Sequence, residues 1–299
     1  PSSLHQRLKQ NLIHKLKNEP MNMKKYFLVL ALGLMGLGMQ SCDNDDDNIK
    51  VSAELQNAFN TKYPNMTPTG WESKQGYYVA DFRDGKYEAE AWFSADGTWQ
   101  MTETDVPYSS LPAAVRNAFE AGDYAAWRVE DVDKVERRDA ETVYVIEVES
   151  GEQEVDLYYT EDGILVKEVA DTDGNDNNYL PSDVSNAVTT FINENYPGAR
   201  IVETDQERGM TEVDIIHNGV AKEVLFNADG SWVSTSWDVR RADVPQVVTD
   251  AALAAHAGYV VDDVDFVETP AGSYYLLELE KNGAPDVYVK VQADGTVLG

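Results

Sequence analysis

The 299-residue sequence predicts an α+β fold: four tandem units, each a helix followed by antiparallel strands, grouped as two domains of two units each. Three observations carry the prediction. A turn recurs at Asp96-Gly97, Asp162-Gly163, Asp229-Gly230 and Asp294-Gly295, at intervals of 66, 67 and 65 residues. A shift of 133 residues lays Tyr63-Pro64, Phe93, Asp96-Gly97 and Trp99 onto Tyr196-Pro197, Phe226, Asp229-Gly230 and Trp232 without a gap. Asp-Gly between alternating apolar and polar runs is a strong short-range hairpin signal.

Each unit opens on a helical stripe. In the first, Ser52 is placed to cap a helix whose apolar positions Leu55, Phe59 and Tyr63 recur every four residues, and Pro64 stops it. Strands follow at Tyr78 to Arg83, Lys86 to Phe93 and Thr98 to Glu103, joined by turns at Asp84-Gly85 and Asp96-Gly97. The second unit begins at Ser110-Leu111-Pro112, with Pro in the first turn and Val115 and Phe119 as the stripe. In the third, Ser182 is read as the cap, and Val184, Val188, Ile192 and Tyr196 form the stripe before Pro197. The fourth starts at Val244-Pro245 and runs through Val248, Ala252 and Ala255. Tyr144 to Glu149 and Tyr275 to Glu280 share one pattern, so the whole reads as an ABAB duplication. Three or four strands per unit would form a sheet with one face on its helices and the other in water.

Residues 1–42 read as an upstream segment plus a signal peptide. They hold six basic side chains and one acid, although the whole chain has a net charge of −29. The apolar run from Tyr26 to Met39 is 14 residues long, short for a membrane-spanning helix, which needs about 20. Met23-Lys24-Lys25 is the natural start of that signal, with residues 1–22 as an upstream segment or extended basic region. Met39-Gln40-Ser41-Cys42 resembles a bacterial lipoprotein signal, which makes Cys42, the one cysteine, the expected lipidation site. Residues 43–49 form an acidic tether, similar to export signals that place some Gram-negative lipoproteins on the cell surface. The expected location is the outer membrane, surface-exposed, with a periplasm-facing alternative.

Residues 50–170 form the first expected domain and 179–299 the second. The polar stretch 171–178 between them reads as a linker. Counted as a calcium loop from Asp171, it has Asp176 where Gly is needed and Ser182 where Glu is needed, so no metal site is assigned.

Composition narrows the function. With 24 basic against 53 acidic residues, the chain is unsuited to nucleic-acid phosphates. A single cysteine leaves no intrachain disulfide. Downstream of Cys42 the only histidines are His217, at a hairpin tip, and His256, in an alanine-rich helix; they share no element or metal-ligand spacing. No nucleophile elbow or phosphate loop is present. Glu88 with Glu90, and Glu147 with Glu149, share strand faces, which reads as a solvated sheet surface rather than acid-base machinery. No catalytic residue and no cofactor are assigned.

The order helix, Tyr-Pro, strand, hairpin, strand, Asp-Gly-x-Trp, strand resembles the PepSY-like family of secreted bacterial proteins, also described as beta-lactamase-inhibitor-like. Tyr63-Pro64, Tyr196-Pro197, Asp96-Gly97-Thr98-Trp99 and Asp229-Gly230-Ser231-Trp232 carry the resemblance, which spans residues 50–299. The second and fourth units lack Tyr-Pro, and neither Ile164 nor Thr296 is followed by the tryptophan. The resemblance implies two PepSY-like domains that bind or inhibit other extracytoplasmic proteins, without catalytic residues.

The expected partner is therefore an extracytoplasmic protein or peptide, a basic one suiting the acidic chain, gripped by open sheet faces. Trp99 and Trp232 read first as core against the helices; otherwise, with Trp92 and Trp237, they are the candidate partner-binding aromatics. A glycan-binding surface lipoprotein and a structural envelope module without a specific ligand are the alternatives.

Overall fold

The computed structural model describes residues 49–151, 153–171, 179, 181, 184–207 and 209–298. The signal segment, Cys42, most of the tether, linker residues 172–178 and Ser182 lie outside the described residues. No described helix is long and apolar enough to cross a membrane.

Among the described residues, four α-helices and sixteen strands follow one another along the chain. Helix α1 (Ala53–Lys62) precedes β1 (Gly70–Lys74), β2 (Tyr77–Asp84), β3 (Tyr87–Phe93) and β4 (Trp99–Asp105). Helix α2 (Ala113–Ala121) precedes β5 (Arg128–Arg137), β6 (Val143–Ser150), β7 (Gln153–Thr160) and β8 (Leu165–Asp171). Helix α3 (Asn186–Asn195) precedes β9 (Arg200–Glu207), β10 (Met210–His217), β11 (Val220–Asn227) and β12 (Trp232–Asp238). Helix α4 (Gln246–Ala254) precedes β13 (Val260–Thr269), β14 (Gly272–Glu280), β15 (Val287–Val291) and β16 (Val297–Leu298). Strands β1 to β8 form one sheet in chain order, and β9 to β16 form another. Every described pairing is antiparallel.

The helix ends follow from their caps. Ser52 accepts a hydrogen bond from the Leu55 N–H at 3.3 Å, and Tyr63 N–H closes α1 on the Phe59 carbonyl at 2.8 Å. Helix α3 is capped by Ser185, which accepts from Val188 N–H at 3.3 Å, three residues beyond the Ser182 read from sequence. Pro112 and Pro245 stand just before α2 and α4, at the N-cap rather than inside the first turn. His256 lies beyond the end of α4.

The described residues fall into two compact units: residues up to 221 with 226–231, and residues 222–225 with 232–298. In the larger unit, Leu55 and Phe59 of α1 pack on Trp71, Phe82, Ala91 and Phe93. Val115 and Phe119 of α2 pack on Val132, Ile146, Val148 and Leu157. In the smaller unit, Val248 and Ala252 of α4 pack on Val264, Leu277 and Leu279. The Asp-Gly turns sit close to the helices. A Cβ added to Gly97 would lie 3.4 Å from Ala58 Cβ, and one added to Gly163 would lie 2.6 Å from the Ala114 carbonyl oxygen. In the first, third and fourth of these turns the aspartate accepts the N–H two residues on, at 3.0 Å in Asp96–Thr98 and 2.9 Å in both Asp229–Ser231 and Asp294–Thr296. Helix-face approach and turn geometry together account for the recurring pair.

Candidate functional site

Alternate residues of a strand point to opposite faces of its sheet. In β3, Ala89, Ala91 and Phe93 meet α1, which turns Glu88, Glu90 and Trp92 to the helix-free face. In β4, Thr102 faces the helix, where it meets the Tyr63 hydroxyl and accepts the Trp99 indole N–H at 2.8 Å. Met101, Glu103 and Asp105 therefore face the other way. In β5, Val132 belongs to the α2 core, so Asp131, Asp133, Val135 and Arg137 face the helix-free side.

That face has two halves. One is apolar and covered: Val79, Trp92, Met101, Val135, Val143, Val145 and Tyr158 pack against Val202 and Ile216 of the β9–β10 hairpin and against Tyr179. The other half is a field of carboxylates from β3, β4 and β5. Cross-strand pairing sets Glu90 beside Glu103 and Asp105 beside Asp133. Burial pushes the Glu103 carboxyl up to about 8, with Asp133, Glu90 and Asp131 adding to the rise and Lys74 opposing it. Asp105 is also raised, by burial first and then by Asp131 and Glu88. Glu103 is thus held toward its protonated form at neutral pH by burial, with charge of its own sign reinforcing the effect.

Among the described residues, the cations that contact this field sit at its margins. Arg83 pairs with Glu88. Lys74 Nζ lies 2.6 Å from Glu72 and 3.0 Å from Glu90. Glu72, Asp81 and Glu90 bring their oxygens within 4.8 Å of one another, and the Lys74 ammonium contacts two of the three, Glu72 and Glu90.

The four candidate tryptophans do not converge. Trp92 is a correction to the sequence reading: at 5% exposure beneath the hairpin, it offers a partner no surface. Trp99 lies half-buried against the α1 core, with Lys62 Nζ 3.4 Å from its ring centroid. Trp232 is half-buried and donates its indole N–H to Thr235 at 3.0 Å. Trp237 is half-buried, 5.0 Å from the Phe266 ring, with Lys222 Nζ 3.1 Å above it. Cys42 lies outside the described residues. The His217 ring packs edge-on to Tyr196 at 5.4 Å, and His256 packs edge-on to Tyr259 at 5.9 Å. Glu149 pairs with Arg128.

Sequence reasoning missed a second charged group. Arg137, Lys167, Glu203 and Asp214 are buried together between β5, β8 and the β9–β10 hairpin. Lys167 alternates with Val169 along the strand Leu165–Asp171, and an ammonium on a face that packs needs a counter-charge, but three of the strand's seven residues are charged, so the signal is weak.

Comparison with known proteins gives one family and a set of solved structures. The family model described as beta-lactamase-inhibitor-like, PepSY-like matches twice, at residues 76–167 and 209–298. A BLIP-like protein from Bacteroides fragilis is 39% identical over 45% of this chain and 96% of its own, with a TM-score of 0.43. A DUF2874 family protein from Bacteroides ovatus is 33% identical over 43% and 94%, with a TM-score of 0.41. Another from Bacteroides uniformis is 27% identical over 40% and 90%, with a TM-score of 0.39. No curated protein matches the chain.

Proposed function

The chain belongs to the beta-lactamase-inhibitor-like, PepSY-like family, and from that membership we propose that it is a non-catalytic, lipid-anchored extracytoplasmic protein that binds, or inhibits by binding, a basic protein or peptide. The observation behind this reading is the carboxylate field at Glu88, Glu90, Glu103, Asp105 and Asp131. Five accessible acids on one sheet face, contacted among the described residues by cations at the edge, favour a partner that brings its own positive charge. Four tandem helix-and-strand units in an ABAB duplication are the finer reading of the architecture. Cys42 is the proposed anchor and the outer membrane the proposed site, the acidic tether favouring its outer surface. Fatty-acid labelling that persisted in a Cys42→Ala variant would remove the anchor.

Glu103 provides a test that non-specific attraction does not mimic. A cation docked beside it favours its ionised form, so binding near pH 7 releases a proton. Calorimetry of the protein with a lysine-rich peptide, in two buffers of different ionisation enthalpy, is expected to give heats that differ between buffers. In Glu103→Gln the difference is expected to vanish while binding persists. Heats independent of buffer in the wild type would place the partner elsewhere.

A further inference from the structure

The covered half of the helix-free face is closed by the chain itself, through apolar packing and a buried set of charges. A register shift between Asp214 and Ile215 pairs Glu203 with Asp214 and Ile201 with Ile215, which leaves Val202 bulged. Val202 enters the apolar cluster of the first sheet, while its neighbour Glu203 reaches that sheet's cations. Arg137 Nη2 donates to Glu203 Oε1 at 2.6 Å, and both side chains are buried. Lys167 Nζ also contacts Glu203, 3.2 Å from Asp205 and 3.7 Å from Asp214. Arg137 Nε and Nη1 are buried without a hydrogen-bond partner. One backbone bond also crosses the contact, from Glu141 N–H to the Ile201 carbonyl at 2.9 Å.

The charges do not balance when all are ionised. The first sheet contributes Arg137 on β5 and Lys167 on β8; the hairpin contributes Glu203, Asp205 and Asp214. Asp133 on β5, Asp156 and Tyr158 on β7, and Tyr179 face the same region, and the hairpin's Arg200 is paired elsewhere, with Glu141 at 2.9 Å and Asp162 at 3.0 Å. Burial pushes Asp214 up to about 7; Glu203 and Asp205 add to the rise, and Lys167 opposes it. Burial alone would raise Glu203 as well, but Arg137 and Lys167 outweigh it and hold that carboxyl below its ordinary range. A buried ion set of this kind adds little net adhesion, and its strength depends on the protonation of its members.

We propose that the β9–β10 hairpin is a proton-operated cover over the apolar half of the first sheet's helix-free face, held down when Asp214 is protonated beside ionised Glu203 and loosened when Asp214 ionises. A carboxyl raised in the closed state withdraws stabilisation as pH rises through its closed value. One depressed in the closed state withdraws it as pH falls through its own. Asp214 is the first kind and Glu203 the second, so the cover is firmest in mildly acid solution and looser above neutrality. Opening would uncover Val79, Trp92, Met101, Val143 and Val145, an apolar strip next to the acidic field. The proposal concerns the apolar half alone and stands whether or not the acidic half binds a partner.

The test is hydrogen exchange on the full chain at about pH 5.5 and pH 8.5, corrected for the intrinsic pH dependence of exchange. The reporter is the Glu141 amide, which bonds across the contact. Its protection is expected to fall about tenfold at the higher pH, in step with greater acrylamide quenching of the component lost in Trp92→Phe. Asp214→Asn, uncharged and of the same shape, is expected to keep the amide protected at both pH values. Equal protection of the wild type at both values, or an unchanged tenfold drop in Asp214→Asn, would overturn the proposal.

Discussion

Phe59→Ala is expected to destabilise the larger unit by about 3–5 kcal/mol, seen as an earlier urea midpoint with little change in slope. Phe59 is fully buried on α1, and its ring lies 5.1 Å from Tyr63, 5.2 Å from Phe82, 6.1 Å from Trp71 and 6.4 Å from Phe93. Truncation removes the apolar transfer term and leaves a cavity walled by rigid rings that cannot collapse into it. The helix has few other buried anchors: along α1 only Leu55 and Phe59 are buried. A loss under about 1 kcal/mol would mean that α1 is not seated on the sheet as described.

Gly163→Ala is expected to cost roughly 2–4 kcal/mol, the sum of a left-handed backbone and an overpacked contact. Gly163 has φ of +84°, and an added Cβ would stand 2.6 Å from the Ala114 carbonyl oxygen and 3.3 Å from Ala114 Cβ. Backbone cannot swing aside as a lysine tip can, so α2 would have to move. Gly76 provides the control. Its φ is +88°, and nothing lies within 4 Å of an added Cβ, so Gly76→Ala is expected to cost only the conformational part, about 1–2 kcal/mol. Equal midpoint shifts in the two variants would show that the turn does not press on the helix.

The fold was legible where local chemistry decides it. The Leu55–Phe59 and Val188–Ile192 stripes, the Asp-Gly turns and the strand alternation all stand where they were read. The Ser185 cap was readable too: the 133-residue shift that pairs Tyr63 with Tyr196 carries Ser52 onto Ser185, and proline 112 onto proline 245. Ser182 was chosen instead because the stripe was extended back to Val184. Strand parity correctly put Glu88 and Glu90 on one face. It could not show that Glu103 and Asp133 join them, because pairing between strands fixes that. Trp92 shows the limit most clearly. Its alternation with Glu90 marks it as helix-free, but only the arrival of Val202 and Ile216, more than a hundred residues away, makes it core. Arg137 and Glu203 are likewise 66 residues apart in sequence and have no local signal in common.

Charge-matched variants decide the central claim, that the acidic sheet face is where a basic partner docks. One variant carries Glu88→Gln, Glu90→Gln, Asp105→Asn and Asp131→Asn. The other carries Glu54→Gln, Glu120→Gln, Asp250→Asn and Glu194→Gln, one acid from each helix. Both change the same number of carboxyls, so the chain's net charge of −29 falls alike in each. Affinity for a lysine-rich peptide at low salt is expected to drop at least about tenfold in the first variant and less than about threefold in the second. Equal losses would contradict the account, because attraction would then come from the chain's overall charge and not from this face.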